Sequence, residues 1–102
     1  MLNSIEEIKQ ANKTAGSHFF SPDTMRFFRS RVGFRVYPVR DGAFFTTSER
    51  HNDSTPRLYT VRRAYDDGRI ETMGEFQAYN TSGEASKAAR KMQDRLNTED
   101  RD

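Results

Sequence analysis

The chain has 102 residues, of which 33 % are apolar and 31 % charged, with no cysteine and a formal net charge of +2. That length suits one domain with a single buried core, and the missing thiols exclude disulfides, thiolate zinc sites and cysteine nucleophiles. No apolar run approaches the roughly 20 residues of a membrane-spanning helix, and the first residues lack the basic-then-apolar pattern of a secretion signal. The expectation is a cytoplasmic protein with one domain over residues 1–97 and a charged, frayed tail at 98–102.

The elements follow in chain order. Ser4-Ile5-Glu6-Glu7 has the form of a capping box, and Ile5, Ile8, Ala11 and Ala15 keep helical spacing up to Gly16. Ser21 as N-cap, Pro22 at the first helical position and Asp23 in the first turn open a second helix. Met25, Phe28 and Val32 share one face of it, and Gly33 marks its end. Strand patterns then take over. Residues 34–39 contain Pro38, which points to an edge strand or a bulge. Asp41-Gly42 signals a hairpin and leads into a return strand at 43–48. A polar loop covers 51–56, strands three and four span 57–65 and 69–78, and Asp66-Asp67-Gly68 turns between them. Tyr59 and Val61 are expected to share the core face with Ile70, Thr72 and Phe76. Thr81 and Glu84 cap the last helix, whose Ala85, Ala88, Ala89, Met92 and Leu96 form an apolar stripe. The fold class is therefore α+β in two layers: two N-terminal helices, a four-stranded antiparallel β-meander and a C-terminal amphipathic helix packed on the sheet.

Catalytic machinery is sparse. The two histidines, His18 and His51, lie far apart, and neither has metal-ligand spacing around it. A hydrolase would need His51 to converge with Glu49 or Asp53 in a cleft. Asp66-Asp67-Gly68 lacks the further oxygen ligands of a calcium loop, and there is no phosphate-cradling glycine-rich loop. The expectation is a non-catalytic protein with no cofactor and no metal.

The chemical signal that remains is arginine. Thirteen of the seventeen bases are Arg, and the last nine residues are net acidic, so the remainder is more basic than the overall charge suggests. Arg presents a planar fork suited to phosphates and carboxylates. Nucleic acid is one expected partner, contacted through Arg26 and Arg29 on the second helix, Arg35 on the first strand, Arg62, Arg63 and Arg69 on the second hairpin, and Lys87, Arg90 and Lys91 on the last helix. The alternative is an inhibitor or adaptor that docks on a host protein, with an exposed aromatic such as Tyr37, Phe45 or Tyr79 at the interface centre. A homodimer through a sheet edge or the first helix is compatible with both, and no membrane partner is expected.

Three resemblances accompany these readings. The β–β–β–α order with a basic last helix resembles the double-stranded-RNA-binding domain. That family places its basic cluster at the start of the helix, where this chain has the neutral-to-acidic Thr81-Ser82-Gly83-Glu84-Ala85-Ser86. Phe76 with Ala85 and Ala88 is similar, at the level of fold, to the three-stranded DNA-binding domains of phage-type integrases. More broadly, the run from His18-Phe19-Phe20-Ser21-Pro22 to Arg31, with Ser48-Glu49 and Arg57-Leu58-Tyr59-Thr60-Val61-Arg62, resembles small bacteriophage- and plasmid-borne proteins to which no activity is attached. That resemblance implies a binding role in a host cell.

Overall fold

A computed structural model describes residues 1–99. The order is α1 (Ile5–Thr14), α2 (Pro22–Phe27), β1 (Arg31–Val39), β2 (Gly42–Glu49), β3 (Leu58–Tyr65), β4 (Ile70–Met73) and α3 (Ser82–Glu99). Each helix starts on a side-chain cap. Ser4 Oγ accepts from Glu7 N at 3.1 Å, Ser21 Oγ from Thr24 N at 3.2 Å, and Thr81 Oγ1 from Glu84 N at 3.1 Å. Each cap satisfies a backbone N–H that the first helical turn leaves free. Among the described residues no helix is long and apolar enough to cross a membrane.

The strands form one antiparallel sheet in the order β1-β2-β3-β4. Pro38 lies on the edge strand β1, where a missing donor breaks no ladder bond. A register shift between Val32 and Val36 bulges the same strand. Every residue of β2 is buried, because helices cover both faces of the sheet. On one face Leu2, Ile5 and Ile8 pack with Ala43, Phe45 and Ala64, flanked by Phe19 and Phe20. On the other, Ala85 and Ala89 of α3 pack with Val39, Phe44 and Val61. Phe44 and Phe45 point in opposite directions, one into each core, and each contributes about 1.5–3 kcal/mol by burial. The alanines let α3 lie close to the strands, as its stripe predicts.

The α+β order matches the expectation, and four details differ. First, helices on both faces make three layers where two were expected. Second, α2 is short. Arg29 takes φ +50°, Ser30 N donates to Met25 O at 2.9 Å, and Val32 and Gly33 belong to β1. Third, the β3–β4 loop holds three residues, 66–68, with Gly68 at φ +94° supplying the left-handed position. Ala64 therefore faces Ile70, Arg62 faces Thr72 and Val61 faces Met73. Tyr59 and Val61 thus do not share a face with Ile70 and Thr72 as expected: the 66–68 turn pairs Tyr65 with Arg69, which puts Arg62 and Ala64 with Thr72 and Ile70 on the α1 face. Fourth, β4 ends at Met73, and the chain leaves the sheet through Gly74 before Tyr79 bridges back to Tyr59. At its far end α3 continues to Glu99, past the start of the expected tail, and residues 100–102 lie outside the described residues.

Gly42 is required by contact rather than by the hairpin turn, which falls on Arg40 and Asp41. A Cβ at position 42 would lie 1.9 Å from Ala64 O. Gly42→Ala is expected to cost about 3 kcal/mol or more, beyond ordinary overpacking. Gly83→Ala, in α3 with only Thr81 Oγ1 near the new Cβ at 3.9 Å, should instead stabilise by about 0.5–1 kcal/mol. Urea unfolding at constant m-value reads both.

Candidate functional site

The polar half of the sheet's α1 face lies beyond the reach of α1 and beneath α2. Alternation from Phe45 puts Thr47 and Glu49 of β2, Thr60 and Arg62 of β3 and Thr72 of β4 on this face. They are bonded to one another. Arg62 Nε donates to Thr47 Oγ1 at 3.0 Å and its Nη1 donates to Thr72 Oγ1 at 2.5 Å. Thr60 Oγ1 donates to Glu49 Oε1 at 2.9 Å and accepts from Gln77 N. Glu49 is only 2 % exposed, and its Oε2 has no partner within the chain. Arg62 Nη2 lies 3.7 Å from Glu49 Oε1, beyond hydrogen-bond reach. Burial lowers the Arg62 pKa, and the Glu49 carboxylate opposes that shift. The guanidinium also sits 5.4 Å from the ring centres of both Phe19 and Phe76, within cation–π range.

Two cavities open around this group. One, of 340 Å³, is walled by Phe19, Met25, Phe28 and Phe76, with Arg62, Thr72, Thr24 and Ser30 as its polar members. The other, of 360 Å³, shares Phe28 and Phe76 and adds Phe27, Glu49, Arg50, His51 and Gln77. The aromatics on their rim are open to water: Phe27 is 80 % exposed, Phe28 47 % and Phe76 48 %. Phe27 and Phe28 pack edge to face at 4.9 Å.

Guanidiniums crowd the same end of the sheet. Arg29 Nη1 and Arg50 Nη2 share Asp53 Oδ1 at 2.8 and 3.3 Å. Arg57 donates to Ser48 O, Ser48 Oγ and Arg29 O, each at 2.8–2.9 Å, tying the 50–57 loop to the end of α2. Its pKa is lowered by burial and then by the neighbouring charges of Arg31 and Arg50. With Arg62, five guanidiniums face two carboxylates, Asp53 and the buried Glu49.

The nine bases singled out from the sequence do not form one surface. Arg26 and Arg29 lie at the α2 end and Arg35 on the exposed bulge of β1. Arg62 lines the cavity. Arg63 faces the α3 side and pairs with Asp41 at 3.0 Å. Arg69 pairs with Asp67 at the hairpin tip and stacks on Tyr65. Lys87, Arg90 and Lys91 are exposed on the outer side of α3. Phe45, expected as an exposed aromatic, is fully buried, and Tyr37 and Tyr79 are partly buried in the α3 core. Sequence reasoning missed the rim of Phe27, Phe28 and Phe76 and the roles of Glu49, Arg50 and Arg57. Glu49 and His51 line one cavity, but no hydrogen bond joins them, and Asp53 is taken by arginines. Among the described residues no three His, Asp or Glu side chains gather as metal ligands.

Thr60→Val removes the donor to Glu49 and the acceptor for Gln77 N while keeping the side chain's shape. It should destabilise the fold by about 1–3 kcal/mol, read by urea unfolding.

No curated protein and no solved structure matches the chain. A family model does match, over residues 4–90, and so spans α1, α2, the whole sheet and the first half of α3: the chain belongs to a family of unknown function, DUF7447.

Proposed function

We propose that this is a non-catalytic nucleic-acid-binding protein whose contact surface is the α2 end of the sheet. The observation that carries the reading is the coincidence of half- to fully exposed phenylalanines with an excess of guanidiniums. Phe27, Phe28 and Phe76 share a cavity with Arg50 and lie at the same end of the sheet as Arg29, Arg31 and Arg57, with Asp53 as the exposed carboxylate bonded to Arg29 and Arg50. Apolar rings left in water at that density mark a binding surface, and rings interleaved with guanidiniums suit a ligand that has both planar faces and phosphates. Arg26 extends this surface along α2. Lys87, Arg90 and Lys91, on the opposite side, are left as a solvated helix face. The resemblance to phage- and plasmid-borne proteins supplies the setting, the cytoplasm of a host cell, with phage or host nucleic acid as the partner.

A second reading, a docking site for a host protein, draws on the same rim, because an apolar side chain would also fill the cavity beneath Phe28 and Phe76. Charge separates the two. A protein partner needs the rings; a polyanion needs the arginines as well.

The test is fluorescence anisotropy of a labelled oligonucleotide across a potassium chloride series. Affinity should fall steeply with salt, and Arg31→Ala and Arg50→Ala should each lower the slope of log K against log salt by about one unit. Lys87→Ala with Lys91→Ala should leave the slope in place. The reading fails if no oligonucleotide binds at low salt while a nuclease-treated host lysate yields one stoichiometric protein partner.

A further inference from the structure

We infer that the 340 Å³ cavity beneath α2 is a slot for one unstacked nucleobase of a single strand, a proposal that rests on the nucleic-acid reading above and names what the site takes. Its size is the first ground. At 340 Å³ it lies at the small end of the range for ligand pockets, about 300–1,000 Å³, with room for one base. Its walls are the second. Phe28 and Phe76 offer ring faces that reach the surface, 47 % and 48 % exposed, and base–aromatic stacking needs a base freed from a duplex.

The floor is the third. Arg62 is held in place by Thr47 and Thr72, while its Nη2 makes no hydrogen bond among the described residues and lies 3.7 Å from Glu49 Oε1. A charged donor with spare N–H capacity, set at the bottom of an apolar slot, calls for an acceptor on an otherwise flat, apolar ligand. The carbonyl or ring nitrogen edge of a base is such an acceptor. Charge complementarity supplies the fourth ground. Arg50 lines the neighbouring cavity that shares Phe28 and Phe76, and Arg29 joins it through Asp53, so a ribose-phosphate chain would pass over these guanidiniums while one base enters.

The test uses the full chain and three labelled probes of about 15 nucleotides, near the upper site size for one small domain: a mixed-sequence single strand, the duplex of the same sequence, and an abasic strand that keeps the phosphates. The single strand should bind at least about tenfold more tightly than either of the others. Phe28→Leu and Phe76→Leu, which keep apolar bulk and remove the ring face, should each weaken binding of the single strand by about five- to a hundredfold. Their effect on the abasic strand should be much smaller. Arg62→Lys, which keeps the charge and loses the planar fork, should give the same split. Urea unfolding confirms that each variant is folded. Equal affinity for the single strand and the abasic strand, or binding indifferent to Phe28 and Phe76 in folded variants, overturns the slot and leaves the nucleic-acid reading standing. Failure of all three probes to bind removes both.

Discussion

β2 has no side open to water, and its second half is polar. Gly42, Ala43, Phe44 and Phe45 meet apolar partners on either face, but Thr46, Thr47, Ser48 and Glu49 are buried as well. Buried polar groups must find hydrogen bonds or lose about 1–3 kcal/mol each. The neighbouring strand and loop supply most of them: Arg62 for Thr47, Thr60 for Glu49, and Arg57 for the hydroxyl and carbonyl of Ser48. The site under α2 follows from that requirement. Arg62, Arg57 and Glu49 converge there because the central strand carries polar residues beneath the helices.

Stability alone does not explain why the strand is built this way. Replacing a buried ion pair by apolar side chains of similar volume is often neutral or stabilising, and the opposite half of the same strand shows that an apolar filling fits this sheet. The Glu49–Arg62 pair is also imperfectly made. Arg62 Nη2 and Glu49 Oε1 stand 3.7 Å apart, longer than a hydrogen bond, and Glu49 Oε2 has no partner among the described residues. A pair whose partners are not saturated by each other retains capacity for a third group. Its position between two cavities rimmed by exposed rings gives that capacity somewhere to act.

What was legible in the sequence is what local spacing dictates. Ser4 with Glu7, Ser21 with Pro22, and Thr81 with Glu84 announce helix starts because a cap involves residues three apart. The apolar stripe from Ala85 to Leu96 announces the face of α3 over about three turns. The face expected of β4 did not follow from the turn read at 66–68: three residues there pair Tyr65 with Arg69 and set Thr72 against Arg62, whereas the expected face needs a two-residue turn. One residue there decides whether Thr72 faces Arg62 or Val61. The burial of Glu49 was hidden for a different reason. A strand covered on one side alternates in polarity, whereas one covered on both sides has no outer face to read, and a glutamate at its end looks like the start of a loop. α2, at six residues, is shorter than two turns, so periodicity could not say that Phe27 and Phe28 both face water.

Arg62 and Arg63 are neighbours in the chain and identical in type, and the sheet gives them opposite roles. Alternation sends Arg63 to the α3 face, where its Nη2 lies 3.0 and 3.2 Å from the two oxygens of Asp41 and its guanidinium stacks over Tyr65 and Phe44. Its charge is matched by a carboxylate in hydrogen-bond contact, and it fastens β3 to the β1–β2 turn. Arg62 goes to the other face, where hydroxyls rather than a carboxylate accept its two hydrogen bonds. Hydroxyls orient a guanidinium without neutralising it, and burial makes the remaining charge costly. A cation held in a defined pose, incompletely neutralised and bordered by a cavity, is electrostatically prepared for an acceptor from outside the chain. The pleat, by separating two adjacent arginines, makes one a clasp for the fold and leaves the other with binding capacity unused by it.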